Sequence, residues 1–204
     1  MFKVDDLKVR RKSWVKAAHI PPARLGWTLE DCDSVPTELI DLVNVWMDSV
    51  KNKEVIRSIG SSRCGKGILL WGDPGHGKTT LALSIIQQMM TEFPLDAFDV
   101  KTDDVVIRPC YFVTYNDILR VMSALMDDPE DEQSRILYDG ILGECPNDAY
   151  NIRVLIIDDI GKEHRTDSGW QKNTLHDVLR TRFNNGLPTI VTTRSEEHTS
   201  ELQS

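Results

Sequence analysis

An α/β domain, with a parallel sheet and helices on its faces, is the fold class that this sequence predicts, and three observations carry it. The stretch Gly72-Asp73-Pro74-Gly75-His76-Gly77-Lys78-Thr79 meets every fixed position of the phosphate-binding pattern G-x-x-x-x-G-K-[ST]. The run Val154-Leu155-Ile156-Ile157-Asp158-Asp159 is apolar and ends in two carboxylates. A central parallel strand reads this way when its C-terminal tip faces a metal. Around both, strand-like runs alternate with helical ones, which means parallel strands joined by right-handed crossovers.

The elements follow in order. Residues 4 to 19 read as a helix carrying Lys8, Arg10, Arg11, Lys12 and Lys16, with Trp14 and Val15 interleaved. Such a helix either touches DNA or an acidic partner, or is a solvated face. Pro21 and Pro22 end it, and Ala23 to Ser34 form an extended connector containing Trp27. Pro36 opens a long helix through about Ser58, with Leu39, Leu42, Val43, Trp46, Val50 and Ile56 at helical spacing as a core stripe. Gly60, Ser61, Ser62 and Gly65 mark a linker into a first strand, Ile68 to Trp71. A helix from Thr80 to Met90 leaves the glycine-rich loop. A second strand covers about Val105 to Thr114, and a helix Asn116 to Met126. An acidic loop of residues 127–132 follows, and Pro146 to Tyr150 turn the chain into the Asp158 strand. Residues 161–167 read as a loop, and Ser168 to Asn184 as a helix with Trp170, Leu175, Val178, Leu179 and Phe183 toward the core. The β-branched run Thr189-Ile190-Val191-Thr192-Thr193 is the last strand.

The chemistry lies where loop and carboxylates meet. Glycines let the loop turn tightly and bring backbone N–H groups against phosphate oxygens. Lys78 is a mobile charge for the β- and γ-phosphates, and the helix that starts there points its positive dipole end at the anion. The Thr79 hydroxyl is placed to coordinate Mg²⁺. Asp158 would hold the same ion directly or through water, and Asp159 would be the base or orienter of the attacking water. The residues therefore imply a nucleoside triphosphate site, with ATP and Mg²⁺ as ligands. Its nucleotide-binding set is Gly72, Asp73, Pro74, Gly75, His76, Gly77, Lys78, Thr79 and Thr80. Its metal set is Thr79 and Asp158, and its catalytic set is Asp159 and Lys78.

Composition narrows the classes. The chain has 204 residues, 40% of them hydrophobic and 27% charged, as in ordinary globular domains. No apolar run is long enough to span a bilayer, and the first twenty residues are charged where a signal peptide is apolar. Cys32, Cys64, Cys110 and Cys145 show no metal-binding spacing and suit a reducing cytoplasm. With a net charge of −8, any nucleic-acid contact is expected to be local rather than a field of the whole surface.

After Thr193 the character changes abruptly to Arg194-Ser195-Glu196-Glu197-His198-Thr199-Ser200-Glu201-Leu202-Gln203-Ser204. These eleven residues are identical to the in-frame translation of a widely used short-read sequencing adapter. The expectation is that residues 194–204 are non-native and that the natural chain continues differently after Thr193. The expected division is 1–35 as N-terminal helix and connector, 36–193 as ATPase core, and 194–204 as tail.

Gly72 to Thr79, Leu155-Ile156-Ile157-Asp158-Asp159-Ile160-Gly161 and Leu187-Pro188-Thr189-Ile190-Val191-Thr192-Thr193 together resemble the DnaC/IstB group of AAA+ ATPases, which are helicase loaders and transposition helpers. The connector Ile20 to Asp31 is similar to the segment before the ATPase core of loaders. The resemblance spans about residues 20 to 193. It implies a P-loop NTPase of the ASCE kind, with Walker A and Walker B motifs and a sheet ordered 5-1-4-3-2, strand 5 being absent from this sequence. It also implies a sensor Asn where Arg194 stands, and an arginine finger and C-terminal helices beyond, so that the chain ending as it does here is expected to be inactive as an ATPase. Arg180 and Arg182 are not assigned the finger's role. Asp159, where many relatives carry Glu, suggests slower or more water-mediated hydrolysis. The implied activity is ATP-driven loading of a replicative DNA helicase onto single-stranded DNA by a homo-oligomer. Lys162, His164 and Arg165 either let DNA sense the nucleotide state or form a plain solvent turn. A transposase partner, and a module that binds ATP without hydrolysing it, remain alternatives.

Overall fold

The structure is a computed structural model and describes residues 4–54, 56–59, 62–100, 105–161 and 169–193. Helix α1 (Val4–Ala17) is followed by two 3-10 turns, Pro22–Arg24 and Leu29–Asp31, within the connector. Helix α2 (Thr37–Lys51) leads to a hairpin of β1 (Ile56–Ile59) and β2 (Ser62–Gly65), paired antiparallel. Then come β3 (Ile68–Trp71), α3 (Lys78–Glu92), β4 (Cys110–Thr114), α4 (Tyr115–Asp127), α5 (Glu132–Leu142), β5 (Val154–Ile160), α6 (Trp170–Asn184) and β6 (Thr189–Thr193).

The central sheet runs β3-β6-β5-β4 with every pair parallel. Counted along the chain, these four strands stand in the order 1-4-3-2, the expected arrangement. Among the described residues no strand lies outside β3. Because side chains alternate across a strand, each buried strand feeds two cores. Cys110, Phe112, Val154, Ile156 and Ile190 pack with α1, α2 and α3 on one face. Tyr111, Val113, Leu155, Ile157 and Val191 pack with α4, α5 and α6 on the other. This explains the unbroken apolar run in β5: both faces are covered.

Helix α1 is anchored rather than free. Trp14 is fully buried and donates its ring N–H to the Val106 carbonyl at 2.8 Å. Arg11 donates to the carbonyls of Met90 and Phe93 at the end of α3, satisfying groups that a helix terminus leaves open.

Several expected elements differ. Helix α2 stops at Lys51, and Lys53 takes a left-handed φ of 60° that breaks the spiral. Ile56 therefore sits in β1, and part of the expected linker is β2; Gly60 and Ser61 lie outside the described residues. The buried face of α2 is Val43, Met47 and Val50, while Leu42, a turn of 100° away from Val43, is 67% exposed. The second strand begins at Cys110 rather than Val105, because Pro109 has no N–H to give a ladder. Helix α5 was not expected at all. Asp131, in the segment read as an acidic loop, caps it by accepting from Gln133 and Ser134 N–H. In α6, Leu175 and Val178 are buried as expected, but Phe183 is 48% exposed and its neighbour Arg182 is fully buried. Residues 162–168, including Lys162, His164 and Arg165, and the tail 194–204 lie outside the described residues.

Candidate functional site

In a parallel sheet the strand ends converge, and here the C-terminal tips of β3, β5 and β6 meet at one edge. The loop after β3 supplies residues 72–77, and α3 begins at Lys78. Gly75 (φ 87°) and Gly77 (φ 76°) hold left-handed conformations that a side chain disfavours. A Cβ on Gly75 would project into open space, so its strain is conformational. One on Gly77 would also meet Ser34 Oγ at 2.8 Å. The Lys78 ammonium donates to the carbonyls of Gly72 and Asp73, both at 2.7 Å, folding the charge back over the loop.

Beneath the loop, Thr79 Oγ1 donates to Asp158 Oδ1 at 2.8 Å. The same oxygen accepts from Thr192 Oγ1 at 2.6 Å. Asp158 is buried, whereas Asp159 is partly exposed and carries a φ of 63°. Non-glycine residues seldom sit there, and such outliers cluster at functional sites. The β5–β6 ladder is irregular at this point, with Ile157 opposite Val191 but Ile160 opposite Thr193. The extra residue is a bulge that re-aims side chains.

A cavity of about 510 Å³ opens over these groups, within the range of small-molecule sites. Pro74, Gly75, Gly77, Lys78, Thr79, Thr80, Asp158 and Asp159 line it, joining eight of the sequence-derived site residues. Gly72, Asp73 and His76 do not line it. The first two supply the carbonyls that hold Lys78, and the exposed His76 faces the Asp73 carbonyl through Nδ1 at 3.1 Å.

The opposite wall was not read from the sequence as part of the site. It consists of connector residues Arg24, Trp27, Asp31, Asp33 and Ser34. The Arg24 guanidinium lies 4.4 Å from the centroid of the Trp27 ring, a cation–π contact. Gln87 of α3 pins this turn. It accepts from Gly26 N–H at 2.8 Å and donates to the carbonyls of Arg24 and Trp27 at 3.0 and 3.3 Å. A glutamine within the mostly apolar stretch Leu81 to Met90 was the only available signal, and its connector partners are about sixty positions away.

The donor set fits a Mg²⁺–nucleotide. Thr79 and Asp158 offer hard oxygen ligands 2.8 Å apart, and no cluster of three or more His, Cys, Asp or Glu side chains among the described residues would hold a metal alone. Mg²⁺ typically takes one or two protein oxygens and completes its shell with phosphates and water.

The sheet order, with a glycine-rich loop between the first strand and its helix, defines an α/β protein of the P-loop NTPase class. A family model described as "ATPase family associated with various cellular activities (AAA)" matches residues 68–202, and the chain belongs to this family. Among solved structures it is similar to the DnaC helicase loader, at 20% identity and a TM-score of 0.53, covering 96% of this chain and 86% of that one. It is also similar to DnaI, at 20% identity and a TM-score of 0.54, covering 90% and 80%. No curated protein sequence matches the chain significantly.

Proposed function

We propose that this chain binds ATP with Mg²⁺ in the cleft between connector and sheet, hydrolyses it, and uses the cycle to load a replicative helicase onto single-stranded DNA. The observation that carries the ATP reading is the Thr79–Asp158 contact directly beneath the loop that holds Lys78. Thr79 and Asp158 would hold the metal, which when bound offsets the charge of the β- and γ-phosphate oxygens. Lys78 exchanges its two carbonyl partners for phosphate oxygens, and the loop N–H groups bind the remainder. Trp27 and Arg24, on the connector wall, take the base side of the nucleotide. Asp159 orients a water and draws off its proton as the water attacks the γ-phosphorus. The bond to the β–γ bridging oxygen breaks, and ADP and phosphate leave. Residues 1–35 act as helix and connector, and 36–193 as the ATPase core.

The loader reading is supported by how much of the chain the fold likeness spans, since 96% coverage reaches beyond the core into the connector and α1. Among the described residues no helix is long and apolar enough to cross a membrane, which accords with action in the cytoplasm. The test is to measure, on the natural full-length protein, ATP turnover with and without single-stranded DNA, and ATP-dependent capture of the replicative helicase encoded by the same genome. Turnover with helicase capture is expected. Capture of a transposase instead would move the chain to the transposition helpers, and nucleotide binding without turnover would make it a binding module.

A further inference from the structure

We infer that Thr192 is a positioning residue that sets both carboxylates of the site through one hydroxyl group. The inference rests on the reading of this cleft as a Mg²⁺–ATP site and adds a residue that the phosphate-loop and acidic-strand motifs do not contain.

The geometry leaves the hydroxyl a single arrangement. The Asp159 N–H, 2.9 Å from Thr192 Oγ1, is able only to donate. The Thr192 proton must then go to Asp158 Oδ1, 2.6 Å away. Thr192 lines the floor of the cavity but is only 2% exposed, so water has little access to replace either bond. At the bulge, where the β5–β6 register is interrupted between Ile157 and Ile160, the hydroxyl serves as the acceptor for the Asp159 N–H. It thereby supports the left-handed Asp159 backbone (φ 63°), from which that side chain departs. One atom thus fixes the orientation of the Asp158 carboxylate against Thr79 and the backbone from which Asp159 extends. Outer partners of this kind typically alter metal affinity by about 10- to 100-fold when removed.

The experiment uses the natural full-length protein and three variants of it. Thr192→Val keeps the shape and removes the hydroxyl, Thr192→Ala removes both γ atoms and serves should valine fail to fold, and Thr192→Ser keeps the hydroxyl. Mn²⁺ serves as a paramagnetic probe, titrated in the presence of a non-hydrolysable ATP analogue. In Val and Ala, half-saturating Mn²⁺ should rise about tenfold or more, while affinity for the analogue without metal stays at the parental value. The Ser variant should keep the parental Mn²⁺ response, and ATP turnover at saturating metal should follow the same pattern. A parental Mn²⁺ response in Val or Ala overturns the proposal. So does an equal loss in Ser, which would assign the effect to packing. Thr79→Ala and Asp158→Asn are carried as references. If neither changes Mn²⁺ binding, the Mg²⁺–ATP reading of the cleft fails, and the positioning role falls with it.

Discussion

At the scale of single residues, the proposed function assigns its most direct chemistry to Lys78 and Asp159. The Lys78 ammonium rests on two loop carbonyls, and charge-assisted bonds to phosphate are among the strongest a side chain makes. Lys78→Ala should therefore remove most nucleotide affinity, measured with a fluorescent ATP analogue; affinity within a few-fold of the parent would refute the assignment. Asp159→Asn keeps the size of the side chain and removes the base. It should retain ATP and metal while turnover falls by roughly two to four orders of magnitude, the range for losing general-base catalysis. Reversed behaviour, with Asp158→Asn sparing metal dependence and Asp159→Asn abolishing it, would exchange the two roles. Lys78 and Thr79 were legible in the sequence because a phosphate loop constrains residue type at fixed spacing, and Asp158 because it ends an apolar strand. Thr192, Trp27 and Gln87 were not, because their partners are distant in the chain and their residue types are unremarkable.

At the scale of elements, Arg182 joins three of them. Its guanidinium is fully buried in α6. Nε donates to Thr189 Oγ1, Nη1 to the carbonyls of Ile141 and Ile152, and Nη2 to those of Arg153 and Pro188. These acceptors lie near the end of α5, in the two residues before β5, and just before and at the start of β6. Burial pulls the guanidinium down to about 9, which still leaves it charged at neutral pH. Its five N–H groups match five acceptors in a fork that lysine cannot reproduce. Arg182→Met should strand the carbonyls and cost roughly 3–5 kcal/mol, read from urea unfolding, with Arg182→Lys recovering only part. A loss under about 1 kcal/mol would show that the staple is dispensable. The sequence offered only an arginine on a helix expected to turn its apolar side inward. Helix α5 was missed for a related reason: its cap, Asp131, stands in a run of acids that reads equally well as loop.

The whole molecule is organised so that its cleft has two sides of different origin. One is the strand-tip edge of the sheet with its loop; the other is the connector, held to α3 by Gln87. A ligand touching both sides should stabilise the chain as a unit. Nucleotide at a hundred times its dissociation constant contributes about 2.7 kcal/mol, which for a chain of this size should raise Tm by roughly 5–10 °C. The rise should be seen by differential scanning fluorimetry with Mg²⁺–ATP and vanish in Lys78→Ala. Trp27→Ala should reduce it by weakening the connector wall. An unchanged Tm with ATP in the parent would rule out the cleft as a nucleotide site.

Local pattern was sufficient for the class of this protein. The phosphate-loop motif and the apolar strand ending in acids are each written within a dozen residues, the alternation of strand and helix follows from short-range periodicity, and the sheet order 1-4-3-2 was anticipated only through the family resemblance. Tertiary structure alone decided what depends on contacts between distant segments. It brought the connector over the loop, buried a charged arginine among carbonyls, and placed one threonine hydroxyl between the Asp158 carboxylate and the Asp159 backbone N–H at a bulge. The physical reason is that propensity and periodicity act over a few residues, whereas the partner of a buried polar atom is chosen by packing, from any part of the chain that the fold brings within about 3 Å.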